Sequence, residues 1–186
     1  MRQELTANEL PFASVDEARL TRVVSAHFEV LWRFLRRLGV PEGELDDAVQ
    51  EVVLVLARKL DLVRLGSERS FVLSVAFRVA GNLRRVQRRR REVSDDELAE
   101  HETRDAALDE QLKTRRLAAL LDRALGELPL ELRAVFVLYE LEQMTMVEIA
   151  NTLELPPGTV ASRLRRAREK FEALAAQLLP NREEEP

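Results

Sequence analysis

Apolar residues recur at helical spacing along most of this chain. From Leu20 to Leu38, the residues Val23, Val24, Val30, Leu31, Phe34, Leu35 and Leu38 fall on one stripe of a 3.6-residue period. Gly39 and Pro41 then supply a helix stop. A second helix is predicted from about Glu44 to Leu60, on Val49, Val52, Val53, Leu56 and Leu60. The run Val52 to Leu56 also suits a buried strand, but the helical period continues through both flanks. A loop at Asp61 to Glu68 carries Gly66 and Ser67. The third helix, about Ser70 to Arg90, begins apolar with Phe71, Leu73, Val75, Ala76 and Val79 and ends in arginines. After a stretch without a period, a helix is expected from Thr114 to Leu125. Another runs from Pro129, which pre-sets its first turn, to about Leu141.

Two shorter helices complete the pattern. Thr145-Met146-Val147-Glu148 has the form of a capping box, in which threonine and glutamate each satisfy a free amide. Ile149, Ala150 and Leu153 give that helix a narrow apolar face, and Glu154 to Pro156 break it. Gly158-Thr159-Val160 opens the last helix. Its Val160, Leu164, Ala167 and Phe171 form one stripe, while Ser162, Arg165, Arg166 and Glu169 lie opposite, with Thr159 towards the edge. A reading element for duplex DNA needs this division: one face packs on its own module and the other offers donors to base edges and phosphates. An ordinary surface helix with a solvated basic face has the same arginine pattern. The capped short helix, the tight turn and the basic second helix together favour a helix-turn-helix from Thr145 to Phe171.

Composition agrees with an all-α fold. Aromatics are 5% of the chain, with 6 Gly and 7 Pro, and Leu, Ala, Arg and Glu dominate. Straight-chain side chains lose little rotamer freedom in a helix. There is no cysteine, which excludes disulfides and thiolate metal sites, and His27 and His101 are too few for a histidine-rich one. No metal and no cofactor is expected. A Gly-rich phosphate loop, a nucleophile elbow and a convergent cluster of His, Cys and Asp are all missing, so no catalytic residue is assigned and the chain does not read as an enzyme. The N-terminus lacks a signal-peptide pattern and no stretch has the roughly 18 apolar residues of a membrane span; a cytoplasmic protein is expected, without membrane insertion.

The net charge of −4 looks unfavourable for nucleic acid, but the charge is arranged in blocks. Residues 78–92 hold seven arginines and one acid. Residues 92–111 hold nine acids and one base. Residues 157–170 hold five bases and one acid. Two basic blocks thus flank an acidic one, and the local field governs what each surface attracts. The acidic stretch is the natural linker, since like charges repel. In the first half, Asp46, Asp47, Gln50 and Glu51 lie to one side of the second helix, away from much of its apolar stripe. A solvated acidic face is the plain reading of that set taken alone.

The ordered motifs resemble the extracytoplasmic-function (ECF) group of bacterial sigma-70 factors. The resemblance rests on Phe28-Glu29-Val30-Leu31-Trp32-Arg33-Phe34-Leu35-Arg36-Arg37-Leu38, Asp46-Asp47-Ala48-Val49-Gln50-Glu51-Val52, and Ser70-Phe71 through Arg78-Val79-Ala80-Gly81-Asn82 with the arginine run after it. Further on it rests on Leu128-Pro129, Arg133-Ala134-Val135-Phe136, Glu148-Ile149-Ala150 and Gly158-Thr159-Val160-Ala161-Ser162-Arg163-Leu164-Arg165-Arg166-Ala167-Arg168. It implies two small helical domains joined by an acidic linker, the second containing the helix-turn-helix. A lead-in spans 1–21, sigma region 2 spans 22–92, the linker 93–113, sigma region 4 spans 114–180 and a tail 181–186.

The resemblance also implies roles. Asp46, Asp47, Gln50 and Glu51 would dock on core RNA polymerase. The loop from Asp61 to Arg69, with Arg78, Asn82, Arg84, Arg85 and Arg88, would open and hold the minus-ten element of promoter DNA. Thr159, Ser162, Arg163, Arg165, Arg166 and Arg168 would read the minus-thirty-five element. An anti-sigma factor is the further partner implied. Such a protein directs promoter-specific initiation; the alternative is a two-domain helix-turn-helix repressor or activator that replaces no sigma factor. Three departures from the family pattern bear on promoter preference. Ala161 stands where many members carry a base, Val72 to Val75 lack a common tryptophan, and Gln143-Met144 replace a Gly-containing turn.

Overall fold

The computed structural model describes residues 17–93 and 109–178. Most of the predicted lead-in, the centre of the acidic linker and the whole tail lie outside the described residues. Within them the elements are α1 (Glu17–Arg37), α2 (Glu42–Lys59), a short 3-10 turn (Leu60–Leu62), α3 (Glu68–Val93), α4 (Asp109–Gly126), α5 (Leu130–Phe136), a π-helical stretch (Val137–Leu141), α6 (Met146–Leu153) and α7 (Pro157–Leu178). The protein is all-α, as its composition and periodicity predict. α4 starts earlier than expected, at Asp109, because charge density marks this stretch as linker while its residue types still favour a helix.

α1, α2 and α3 pack mutually as a three-helix bundle. The predicted stripes point inward: Phe34 and Leu35 of α1 with Leu38 just after it, Val52 and Leu56 of α2 with Leu60 of the 3-10 turn, and Leu73 and Ala76 of α3 are all buried in one core. Each fully buried leucine or phenylalanine contributes about 2 kcal/mol relative to exposure. Arg19 ties the open end of the bundle together. Its guanidinium donates to Leu60 O at 2.9 Å, Val63 O at 2.7 Å and Glu68 Oε1 at 3.0 Å.

In the second group α5 packs on α7, α4 on α7 and α6 on α7. Val160, Leu164 and Ala167 are buried against Ile149, Val135 and Leu138, and the Phe136 and Phe171 rings lie 4.7 Å apart between centroids. The predicted helix from Pro129 to Leu141 changes character after Phe136. There the chain takes a wider turn, and Glu142 N donates to Val137 O, five residues back, at 3.0 Å. A π stretch carries one more residue per turn than an α-helix.

The two groups share one continuous hydrophobic core, and α6 packs directly on α3. Two charged side chains hold the junction. The Glu142 side chain is 2% exposed and accepts from three arginines of the first bundle. Arg33 donates from Nε to Oε1 and from Nη2 to Oε2, both at 3.0 Å; Arg37 Nη1 donates to Oε1 at 3.1 Å; Arg69 Nη2 donates to the Glu142 carbonyl at 2.9 Å and to Oε2 at 3.4 Å. Running the other way, buried Arg133 of α5 donates to Leu38 O at 3.0 Å, Leu128 O at 3.1 Å and Gly126 O. Gly39, with φ +87°, makes room for it: a Cβ there would stand 2.5 Å from Arg133 Nη1.

Candidate nucleic-acid and polymerase interfaces

The capping box forms as predicted. Glu148 N donates to Thr145 Oγ1 at 3.3 Å, and Thr145 N donates to Glu148 Oε2 at 2.7 Å. The Thr145 backbone and hydroxyl donors hold the Glu148 carboxyl below its usual range. The turn before it, where a glycine is common in the family pattern, uses Gln143 at φ +56°; Glu154 at φ +55° ends α6. Both are left-handed positions that ordinarily favour glycine.

α7 then divides as its periodicity requires. Arg165 and Arg166 are exposed, opposite the buried stripe, and Ala161 is exposed with them. Thr159, Ser162 and Arg163 are half-buried at the margins. Ser162 Oγ donates to Thr159 O at 3.0 Å, so its hydroxyl hydrogen serves the helix's first turn. Arg168 is turned towards the scaffold: Nε donates to Glu140 Oε1 at 2.6 Å, and its guanidinium carbon sits 5.1 Å from the Tyr139 ring centroid. On the exposed face Arg165 Nη1 donates along the helix to Glu169 Oε1 at 2.5 Å, so both Arg165 and Arg168 have a carboxylate partner, the first within α7 and the second on the scaffold.

The arginines of α3 line a cavity of about 820 Å³ with Arg78, Asn82, Arg84, Arg85 and Arg88 on one wall. Leu130 and Glu131 of α5 form part of the other wall. Arg85 pairs with Asn82, and Arg78 reaches Glu154 at the end of α6. Arg84 has a buried Nη1 without a hydrogen-bond partner. Arg133 lies near enough to feel it. Burial first, and the Arg84 charge second, push the Arg133 guanidinium down to about 10. At the near end of α3, the loop Asp61 to Ser67 is pinned by Gly66 N donating to Glu68 Oε2 at 2.6 Å. It leaves Leu62 and Leu65 each 83% exposed. These two leucines were not singled out from the sequence, although apolar residues in a loop between charged helix ends are the signal that finds them.

On α2, Asp46, Asp47, Gln50 and Glu51 are all exposed, while Leu45, Ala48, Val49 and Val52 between them are buried. The set forms one polar face on a rigid helix, on the first bundle rather than near α7. The described residues contain no group of His, Cys, Asp and Glu that could hold a metal ion, and no helix long and apolar enough to cross a membrane.

Comparison with known proteins places this geometry. Residues 118–171 match the model of sigma-70 region 4, a stretch that contains the helix-turn-helix. The ECF RNA polymerase sigma-E factor of Escherichia coli (strain K12) is 33% identical over 142 residues, covering 72% of this chain and 74% of the relative. Two solved structures share the fold. CnrH, in complex with the cytosolic domain of CnrY, has a TM-score of 0.65 at 24% identity, covering 90% of this chain and 93% of that one. The sigma factor RpoE of Bartonella quintana, in complex with the anti-sigma factor NepR, has a TM-score of 0.63 at 22% identity, covering 86% and 96%. The chain belongs to the ECF group of the sigma-70 family, and it is a sigma factor that directs transcription.

Proposed function

We propose that this sigma factor docks on core RNA polymerase through Asp46, Asp47, Gln50 and Glu51 of α2 and grips promoter DNA at two places. The loop with Leu62 and Leu65, together with Arg78, Asn82, Arg84, Arg85 and Arg88, opens and holds the minus-ten strand. Arginines follow phosphates, and exposed apolar side chains wedge between or cover unstacked bases. α7 reads the minus-thirty-five element, with Arg165 and Arg166 entering the major groove, Thr159, Ser162 and Arg163 at its edge, and Arg168 released from Glu140 to a phosphate. The observation that carries this reading is the division of α7 into a buried apolar stripe and an exposed arginine face on a capped helix-turn-helix. The factor acts in the cytoplasm without catalytic residues or a cofactor, and an anti-sigma factor restrains it, as the name of NepR indicates for its own partner.

Run-off transcription with purified core polymerase tests the reading. The chain alone is expected to start transcription at a promoter; a requirement for a second sigma factor would instead identify a helix-turn-helix regulator. Combined Asp47→Lys and Gln50→Lys should abolish co-purification with core polymerase while preserving helicity. Arg165→Ala and Arg166→Ala should each lower promoter affinity about tenfold at fixed salt.

A further inference from the structure

We infer that the cavity between α3 and α5 binds a free nucleoside polyphosphate, with the phosphates along Arg84, Arg85 and Arg88 and the nucleoside end against Leu130 and Glu131. That such a ligand competes with the minus-ten strand rests on the roles proposed above; the site itself does not.

The cavity has the size and the asymmetry of a nucleotide site. Its volume of about 820 Å³ lies within the roughly 300–1,000 Å³ that small-molecule sites occupy. The α3 wall is cationic: Arg78, Arg84, Arg85 and Arg88 lie within about three turns of one helix. The α5 wall is of a different kind, with the Leu130 side chain beside the Glu131 carboxylate, and Phe77 adds a second apolar surface. The two walls approach each other at Gly81, where an added Cβ would lie 3.7 Å from Leu130 Cδ2.

Each wall narrows the ligand. Guanidinium forks match phosphate oxygens, and a row of them suits a chain of phosphates better than a single one. A bare polyanion would leave Phe77 and Leu130 uncovered and would meet Glu131 charge against charge. A nucleotide avoids both faults. Its base covers the apolar surfaces, and its ribose hydroxyls or base amino hydrogens donate to the carboxylate.

Arg84 is the centre of the cationic wall. Arg78 is engaged by Glu154 and Arg85 by Asn82. Arg84 has no hydrogen-bond or carboxylate partner among the described residues, and its Nη1 is buried without an acceptor. Beside it stands Arg133, pushed down to about 10 by burial and then by the Arg84 charge; the Glu127 charge acts the other way as the smallest of the three effects. Neighbouring cations of this kind make a local excess of positive charge that a phosphate group neutralises. Arg84, Arg85 and Arg88 are also the arginines proposed to hold the minus-ten strand, so a bound nucleotide and the strand exclude one another.

The test uses the full chain without polymerase or promoter. Isothermal titration with ATP, in the absence of divalent cations, should show saturable binding at one site. Inorganic triphosphate should bind about tenfold more weakly. Arg84→Ala should weaken ATP binding about tenfold, as loss of a charge-assisted hydrogen bond does. Arg85→Ala should act in the same direction, with helicity by circular dichroism retained in both. Leu130→Ala should weaken ATP but not triphosphate. Arg22→Ala, on the exposed face of α1 and outside the cavity, should change neither. Absence of saturable binding overturns the site, as does ATP affinity unchanged in both Arg84→Ala and Arg85→Ala or lowered equally in Arg22→Ala. Triphosphate binding as tight as that of ATP overturns the nucleoside end. In the second arm, ATP is titrated against a bound fluorescent single-stranded DNA oligonucleotide and should displace it. An oligonucleotide that depends on Arg84 while ATP does not bind assigns the cavity to the strand alone and overturns the inference. Arg84-dependent ATP binding without displacement overturns the competition and leaves the nucleotide site standing. Failure in these titrations is distinct from failure in run-off transcription.

Discussion

Replacing Arg133 by Met tests whether a buried cation without a carboxylate partner joins the helical groups. Arg133 is 3% exposed and donates to three backbone carbonyls, two of them at helix ends: Leu38 just after α1 and Gly126 at the end of α4. Such carbonyls carry the negative end of the helix dipole, so a guanidinium among them is favourably placed. Hydrogen bonds from a charged donor contribute about 1.5–3 kcal/mol each, which sets a ceiling of roughly 5–9 kcal/mol for three. Against this stands the desolvation that pushes the group down to about 10. With methionine filling the aliphatic volume but leaving the carbonyls unpaired, a net loss of about 3 kcal/mol is expected. At about 2–4 °C per kcal/mol for a chain of this size, the melting temperature should fall by roughly 6–12 °C. Arg133→Lys keeps the charge but cannot span three acceptors in one plane, and should recover less than half of the loss. The assay is urea and thermal unfolding followed by circular dichroism. A change below about 1 kcal/mol for Arg133→Met would refute the argument, because the carbonyls would then have found other partners.

Two more predictions concern titratable groups. Thr145→Ala should cost about 1 kcal/mol at pH 7 through loss of the α6 cap. The Glu148 carboxyl is held below its usual 4.5, so its capping contribution is present above that pH and is lost as the pH falls below it. The urea midpoints of the parent and Glu148→Gln should therefore converge in acid. His27 lies against Val23, Leu31, Val52 and Leu56, and burial, followed by the Arg69 charge, lowers it from 6.5. Its neutral form is favoured in the fold, so stability is intact above 6.5 and declines as the pH drops below it. His27→Leu should flatten that part of the stability profile, measured by urea titration from pH 7.5 to about 5.5.

The parts legible in the sequence are those written at short range. The α1 stripe from Val23 to Leu38, the Thr145–Glu148 capping box and the split of α7 between Leu164 and Arg165 each lie within a few turns of one helix, where period and cap chemistry act. The acidic face of α2 was equally legible as a face; its role came from resemblance. The bonds between the groups left no such trace. Glu142 reads as one more acid near a helix end, and Arg133 as one more base on a helix surface, until chain segments about 100 residues apart are brought together. The partners of Arg168 are likewise hidden from the sequence: its spacing suits a DNA-facing residue, and in this structure Glu140 and Tyr139, from the preceding helical stretch, engage its guanidinium. At the start of α4 charge and propensity point apart: Asp109 and Glu110 continue the acidic linker in charge, while the backbone there is already helical.

The π stretch from Val137 to Leu141 sets the register of everything after it. It is one surplus residue in an otherwise regular helix, and each residue of an α-helix turns the chain by about 100°. Deleting a single residue there would restore the regular winding and swing Glu142 about a third of a turn from its three arginines, with every side chain that meets them unchanged. The aim of the helix-turn-helix thus depends on a count of residues in a segment that touches neither DNA nor polymerase in the proposed scheme. An insertion or deletion at this point therefore reaches both the α5–α7 packing inside the second group and the way that group faces the first.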